Sequence, residues 1–251
     1  MLTPAQIHYA LFPPGNLSGC IRTLTQLTRH RWVDRLERAS INHPYIYLLS
    51  SKSTVGNKIL RDTHGEQAFK ASLFRLGPLE HQLALNDVRI RAEKDGVVDR
   101  WRRPEELVQR LGPKLQPDAY FRVQGEGKVT GHFLELQRSL KSHRVLLSKL
   151  ARYQQLFTSE GFHNQAMKVL VVFTTEYNRT GQQRVVHALK NTPDRYPFVS
   201  FAGLDAIKAL PAGSFYTAPI WFQPGSTQPV GLRQEEARQS RRRLVPRPHL
   251  P

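Results

Sequence analysis

The chain has 251 residues, of which 37 are Lys or Arg and 20 are Asp or Glu, so its formal net charge is +17. A chain of this length can bury one large core or two smaller ones. Because so large an excess of one sign repels itself in a compact fold, it indicates a polyanionic partner such as nucleic acid, whose condensed counterions are released on binding. The alternative is a highly soluble protein without such a partner.

Cys20 is the only cysteine, which excludes an intramolecular disulfide. The longest apolar run, around 169–173, is far too short to span a bilayer, and the first residues lack the pattern of a signal peptide. We therefore expect a cytoplasmic protein with no membrane partner. The histidines show no zinc-binding spacing, and no Gly-Lys-Ser/Thr loop indicates an ATPase.

The first helix is predicted from a capping box. Thr3, Pro4 and Gln6 have the residue types and spacing of such a box, and the helix should end at Phe12, before Pro-Pro-Gly. Ser18 is the predicted cap of a second helix. The apolar residues on one side of that helix are Ile21, Leu24 and Leu27.

Two short strands follow, one beginning at Trp32 and one over Tyr45–Leu49. Ser51 is the predicted cap of a third helix that runs through Leu60. Helix, helix and β-hairpin is the order of a winged helix-turn-helix, whose second helix enters the major groove of DNA. Residues 1–62 are therefore predicted to be a winged-helix-like domain that binds duplex DNA. Its candidate DNA-binding residues are Arg22, Gln26, Arg29, His30 and Arg31.

An α/β (α+β) domain is predicted over residues 72–222, after a polar segment at 62–70 that marks the domain boundary. A helix over His81–Glu93 precedes the strands Asp118–Val123 and Thr130–Arg138, which a glycine-rich turn joins as a hairpin. A one-sided apolar helix then leads to the apolar strand Lys168–Thr174. Strand, helix, strand implies a parallel crossover, so we expect a mixed sheet flanked by helices.

Three further elements complete the prediction. A helix is expected over Val185–Leu189 and a last strand over Phe198–Phe201. Residues 223–251 are rich in Pro, Gly, Gln and Arg and end near an arginine run, which predicts a disordered basic tail. That tail acts either as an electrostatic tether or as a solubility segment.

The candidate site lies on the predicted hairpin. Residues two apart in a strand share a face, so Phe133, Glu135 and Gln137 should project together while the residues between them face the core. Asp118, on the partner strand, can reach Glu135 if the register is right. Two carboxylates and a phosphate oxygen are enough to hold Mg²⁺, which would polarise the phosphate and lower the pKa of its bound water. The alternative is a pair of solvated carboxylates at a strand edge.

These motifs resemble known families. Pro117-Asp118 followed by Glu135-Leu136-Gln137 and a helix is similar to the restriction-endonuclease-like superfamily of PD-(D/E)XK nucleases. Taken in order over Leu2 to Trp221, the segments resemble the replication-relaxation family. The segments that carry this resemblance are His81–Ile90, Pro117–Ala119, Phe133–Leu136 and Lys149–Tyr153.

The resemblance implies a winged helix before a nuclease-like domain, and a role in plasmid replication and DNA relaxation. It therefore also implies association with nucleoid or plasmid DNA. It makes Asp118 and Glu135 the metal-binding carboxylates for Mg²⁺ and Lys149 the basic residue of the following helix. Gln137 departs from the superfamily, which has lysine there. Gln137 can donate a hydrogen bond or offer a carbonyl ligand but carries no charge, so Lys149 or Lys141 would supply the ammonium.

Three functions follow as hypotheses. The first is a DNA-binding protein of a plasmid or other mobile element that acts in replication and relaxation. It would also be a Mg²⁺-dependent DNA nickase or endonuclease if Asp118, Glu135, Gln137 and Lys149 are catalytic residues. The second is a catalytically inactive adaptor that binds DNA and recruits replication or conjugation proteins, and the third is a transcriptional regulator whose second domain forms a homodimer. The winged helices it resembles have one more helix before Leu2, so we expect the domain to begin upstream of Met1 or to be completed by a partner.

Overall fold

The computed structural model describes residues 1–36, 43–50, 53–55, 58, 76–95, 101–102, 106–107, 111–112, 115–124, 129–137, 143–159, 162, 165–174, 189, 195–226 and 228–232. The chain divides into two compact units, Met1–Ile90 and Arg91–Pro251. The predicted boundary at 62–70 and most of the helices predicted over 51–60 and 185–189 lie outside the described residues.

The first unit begins with α1 (Pro4–Leu11) and α2 (Leu17–Arg29). The capping box of α1 is confirmed, because the Gln6 N–H donates to Thr3 Oγ1 at 3.2 Å and the Thr3 N–H donates to Gln6 Oε1 at 3.0 Å. The prediction that Ser18 caps α2 is wrong. Asn16 is the cap, with its side-chain oxygen accepting from the Gly19 N–H at 3.2 Å, because α2 starts at Leu17 and a cap must precede the first helical residue.

The buried side of α2 also differs from the predicted one. Cys20 and Leu24 are 0% and 4% exposed, whereas Ile21 is 48% exposed. The small Cys20 packs with Leu24 against Tyr47 of the strand pair and Ile7 of α1. Leu24 belongs to both the predicted and the observed side, so the buried stripe is shifted toward Cys20 and away from Ile21, which lies about 100° from Cys20 around the helix.

The strand pair of the first unit is antiparallel, with β1 (Val33–Leu36) beside β2 (Ile46–Leu49). Leu2 adds a bridge to Tyr47 through two backbone hydrogen bonds of 2.9 Å. The helix predicted from His81 is α3 (Leu76–Lys94), which begins five residues earlier. No helix in the described part of the chain is both long and apolar enough to cross a membrane.

The second unit is built on a four-stranded mixed sheet, as predicted. Its strands are β3 (Ala119–Gln124), β4 (Val129–Gln137), β5 (Ala166–Phe173) and β6 (Val199–Gly203), hydrogen-bonded in that order. The β3–β4 pair is antiparallel, whereas β4–β5 and β5–β6 are parallel. The connection from β4 to β5 contains α4 (His143–Thr158), and α5 (Leu204–Lys208) follows β6.

The core of the second unit covers both faces of β4. Every residue from Thr130 to Leu136 is buried, including Phe133, which packs with Leu150 and Tyr153 of α4. Phe133 and Glu135, which were expected to project away from the core, are therefore buried too, since β4 is an interior strand of a sheet that is covered on both faces. Consequently the carboxylate of Glu135 does not lie on an open surface.

Packing continues past residue 222, where the sequence placed the end of the second domain. Trp221 pairs with Val230 through two backbone hydrogen bonds of 3.1 and 2.8 Å. Leu232 is buried as well. The remaining part of the predicted tail, 233–251, lies outside the described residues.

The buried imidazole of His132 should make the stability of the folded protein depend on pH. It is buried in β4 and stacks on Phe121 with ring centroids 5.3 Å apart. Burial lowers the pKa of His132 to about 3, with a further contribution from the charge of Lys168. Between about pH 6.5 and pH 3, His132 is therefore protonated in the unfolded chain but neutral in the folded protein. The free energy of unfolding is highest above pH 6.5 with respect to this group, and it decreases as the pH falls through that range.

In His132→Phe, which keeps the stacked ring, the free energy of unfolding should decline less between pH 7 and pH 4. The difference should reach on the order of a few kcal/mol, measured by urea denaturation at several pH values. Phe121→Leu is the control, because it disrupts the stack but retains the imidazole and the steeper decline. Equal slopes in the wild type and His132→Phe would contradict the prediction.

Candidate functional site

Asp118 and Glu135 lie at the same end of the β3–β4 pair. The register Ala119↔Leu134, continued by one residue, brings Asp118 opposite Glu135. The Asp118 N–H donates to the Leu134 carbonyl at 2.9 Å, and its Oδ2 accepts from the Leu136 N–H at 2.6 Å. The aspartate is thus held by the backbone on both sides of Glu135, and the two carboxylates share one face of the sheet.

Helix α4 provides both side chains that hold Glu135. Lys149 Nζ lies 2.5 Å from Glu135 Oε2 and also donates to the Gln116 carbonyl at 2.5 Å. The Tyr153 hydroxyl donates to Glu135 Oε1 at 2.5 Å. Lys149 and Tyr153 are four residues apart, so they lie on one side of the helix and each binds a different oxygen of the same carboxylate.

Burial determines the electrostatics of this cluster. The Glu135 side chain is 7% exposed and that of Lys149 is 24% exposed. Burial raises the pKa of Glu135 to about 7, and the Asp118 charge also raises it, while the Lys149 ammonium lowers it. Burial, followed by the Glu135 charge, raises the pKa of Tyr153 well above its usual range, so its hydroxyl remains a neutral donor. The cluster therefore favours an added positive charge beside the two carboxylates.

The donor set suits a magnesium ion that is held only partly by the protein. Asp118 and Glu135 offer the hard oxygen atoms that Mg²⁺ prefers, and each carboxylate oxygen can accept more than one partner. Within the described ranges there is no group of three or more His, Cys, Asp and Glu side chains able to surround a metal. Two carboxylates fit an ion whose remaining ligands are water or phosphate oxygens.

Gln137 and Lys141 are the other residues predicted near the two carboxylates. Gln137 is the last residue of β4, half-buried, and its backbone carbonyl accepts from the Thr174 N–H at 3.1 Å. Lys141 lies outside the described residues, so Lys149 is the lysine that the structure places at Glu135. Tyr153 was not among the predicted catalytic residues. The signal available in the sequence was its position four residues after Lys149, in a segment that resembles the family.

The predicted DNA-binding residues are all exposed. They belong to α2 and the turn after it: Arg22, Gln26, Arg29, His30 and Arg31. Arg31 has φ 59°, a left-handed conformation that ends a helix and here turns the chain toward β1. His30 lies against Trp32, with ring centroids 5.9 Å apart, and Trp32 is itself exposed. Basic, polar and aromatic groups thus occupy one continuous stretch of sequence.

The sequence model of the replication-relaxation family matches residues 1–172, about two thirds of the chain. The match includes α1 through α4 and nearly all of β5, and therefore all the candidate site residues. No curated protein and no solved structure matches the chain.

The ion pair between Lys149 and Glu135 predicts an energetic coupling. Lys149→Met should lower the free energy of unfolding by about 2 kcal/mol, because it leaves a buried carboxylate without its cation. In a Glu135→Gln background the same substitution should cost clearly less, which gives a coupling of about 1 kcal/mol or more in a double-mutant cycle. Urea denaturation at pH 8 measures all four proteins.

The control for this cycle is Arg152→Met, which removes a charge from the exposed side of α4. It should change stability by less than about 0.5 kcal/mol. Additive effects of the Lys149 and Glu135 substitutions would show that the two side chains do not stabilise one another.

Proposed function

The chain belongs to the replication-relaxation family, and on this premise we propose that it is a DNA-binding protein of a plasmid or other mobile element that acts in replication and DNA relaxation. The observation that carries the proposal is the exposure of every predicted DNA-binding residue on α2 and the following turn. The net charge of +17 supports it, since phosphate neutralisation supplies most of non-specific DNA affinity.

The order of elements in the first unit supports a winged-helix mode of binding. Two helices precede an antiparallel strand pair, and α2 is the second of them. Cys20 and Leu24 hold α2 to its own unit, which leaves the side with Arg22 and Arg29 for the major groove. The proposed partner is therefore duplex DNA.

Arg29→Gln should weaken binding of the full chain to a duplex several-fold and reduce the slope of log K against log salt by about 1, because one phosphate contact is lost. Fluorescence anisotropy with a labelled duplex at several salt concentrations measures both quantities. Arg89→Gln is the matched control, since it removes the same charge from an exposed position on α3 of the same unit. Equal losses in the two variants would contradict a contact specific to α2.

A second candidate function, Mg²⁺-dependent cleavage of DNA, is favoured by one observation. Lys149 places an ammonium at 2.5 Å from Glu135, beside Asp118. In this proposal Asp118 and Glu135 hold Mg²⁺. When it is bound, the ion would polarise the phosphate and lower the pKa of its bound water. Tyr153 keeps the Glu135 carboxylate in one orientation, Lys149 provides positive charge for the developing oxyanion, and the Gln137 amide orients the attacking water.

The cleavage proposal predicts nicking of supercoiled plasmid in Mg²⁺ that EDTA abolishes. The double variant Asp118→Asn, Glu135→Gln should reduce the nicking rate by about 100-fold or more, because both metal-binding charges are removed. Gel electrophoresis of the plasmid forms measures the rate, and duplex binding by the same preparation serves as the folding control. Unchanged nicking in the double variant would rule out this site as its origin.

Wild-type protein that binds duplex DNA but never nicks it would favour the adaptor hypothesis. In that version the nuclease-like cluster only stabilises the domain, and the protein recruits replication or conjugation proteins to DNA. The departure at Gln137, which carries no charge where the superfamily has lysine, is the feature that favours this alternative.

A further inference from the structure

A recess lies on the sheet of the second unit, and the side chains of the carboxylate cluster are not part of its lining. Its volume is about 730 Å³, within the usual range of ligand sites, about 300–1,000 Å³. Two arginines and several aromatic rings contribute to its lining. Those that matter chemically are Arg102, Tyr120, Arg122, Phe133 and Phe162.

Strand register explains why these side chains meet. Arg102 pairs with Tyr120 at the outer edge of β3 through two backbone hydrogen bonds, of 2.6 and 3.0 Å. Tyr120 is opposite Phe133, and Arg122 is opposite Gly131. Because residues directly opposite in an antiparallel pair share a face, both arginines and both rings project from the same side of the sheet.

The recess combines an anion-binding part with an aromatic part. Arg122 is exposed, and Arg102 has its Nε buried without a hydrogen-bond partner in the described part of the chain. Guanidinium groups bind phosphate through paired hydrogen bonds. Tyr120 rests on Phe133 with ring centroids 4.9 Å apart, and Phe162 adds another ring to the lining. Aromatic rings beside arginines are the usual platform for an unpaired base.

Gly131 lies at the floor of the recess, where the lack of a side chain leaves space. A Cβ at this position would lie 2.7 Å from Met167 Sδ and 2.8 Å from the Tyr120 hydroxyl. With any other residue at this position, one of these side chains would have to shift. The absence of a side chain at this point of β4 therefore preserves room for a planar group.

We propose that this recess binds one nucleotide of single-stranded DNA, with the base on the aromatic wall and the phosphate on the two arginines. A base inside a duplex is stacked and paired, so only an unpaired or flipped nucleotide can enter a recess of this kind. The inference rests on the proposed function only in that the polymer is DNA. It adds a single-strand subsite, on the second unit, to the duplex surface of the first.

The recess and the carboxylate cluster share one face of the β3–β4 pair. The Tyr120–Phe133 pair is two residues along the strands from Asp118 and Glu135, which corresponds to about 7 Å. A DNA strand in the recess therefore passes close to the two carboxylates. This places the subsite where it would position a phosphate for the cluster, whether or not the cluster cleaves it.

Binding of a labelled twelve-residue oligothymidine to the full chain tests the proposal. Arg122→Gln should weaken binding by about tenfold, measured by fluorescence anisotropy at low salt. The matched control is Arg195→Gln, which removes an exposed arginine that precedes β6, the strand at the opposite edge of the sheet. It should weaken binding by no more than about twofold. Equal weakening in the two variants, or none in Arg122→Gln, would overturn the proposal.

A cross-linking experiment locates the base independently of charge. An oligothymidine that contains 5-iododeoxyuridine, irradiated with the full chain, should cross-link to peptides that contain Tyr120 or Phe162. Cross-links confined to other peptides would overturn the assignment. Thymidine monophosphate should compete only weakly with the oligonucleotide, and equal competition per nucleotide would instead make a free nucleotide the ligand and overturn the single-strand proposal.

Duplex binding, measured on the same proteins, separates this inference from the proposed function. Arg122→Gln should leave the α2-dependent duplex affinity nearly unchanged. If the wild type binds duplex but Arg122→Gln binds oligothymidine as the wild type does, the single-strand subsite alone is overturned. If the wild type binds neither form of DNA, the proposed function fails together with the inference.

Discussion

The buried carboxylate of Glu135 is the constraint on which the second unit's candidate site depends. Removing a carboxylate from water is unfavourable by several kcal/mol unless cations or hydrogen bonds replace the lost hydration. Here Lys149 and Tyr153 each bind one oxygen, and both come from a single side of α4. The helix is therefore joined to β4 by a charged contact at Glu135 and by the apolar cluster that contains Phe133 and Leu150.

Such a contact is a poor way to stabilise a fold, because well-packed apolar side chains of similar volume do as well or better. The environment of Glu135 is also unfavourable to its charge, since burial and the neighbouring Asp118 together raise its pKa to about 7. A site that retains two adjacent carboxylates under these conditions gains most from a bound cation. This is the physical argument for a functional origin of the cluster, and the proposed Mg²⁺ site is its simplest form.

Much of the sheet and of this cluster followed from the sequence. The hairpin and the one-sided apolar pattern of α4 were local signals. The register of the hairpin then places Asp118 opposite Glu135. The parallel neighbours β4 and β5 followed from the strand, helix, strand order. In each case the pattern extended over several residues, and the local preference agreed with the tertiary structure.

Other features depended on contacts that local patterns do not contain. The buried side of α2 is determined by packing of Cys20 with Tyr47, a residue distant in the chain. The apolar residues of α2 alone had predicted that Ile21, which is exposed, would be buried. The sequence did not predict the recess, because it too depends on a contact between segments that are distant in the chain. Arg102 joins Tyr120 only through an isolated bridge at the sheet edge, so no periodicity predicts that the two arginines share a face.

The two proposed DNA surfaces suit different forms of the same polymer. The exposed side of α2 has the chemistry of groove binding, in which basic groups position a helix on a stacked, paired duplex. The recess has the chemistry of unpaired bases, because a ring platform is of no use to a base that is already stacked on both sides. Replication requires duplex and single-stranded DNA to coexist at one place. A protein with one surface for each form can remain bound as the DNA changes between them, and its net charge of +17 strengthens both interactions without selecting either.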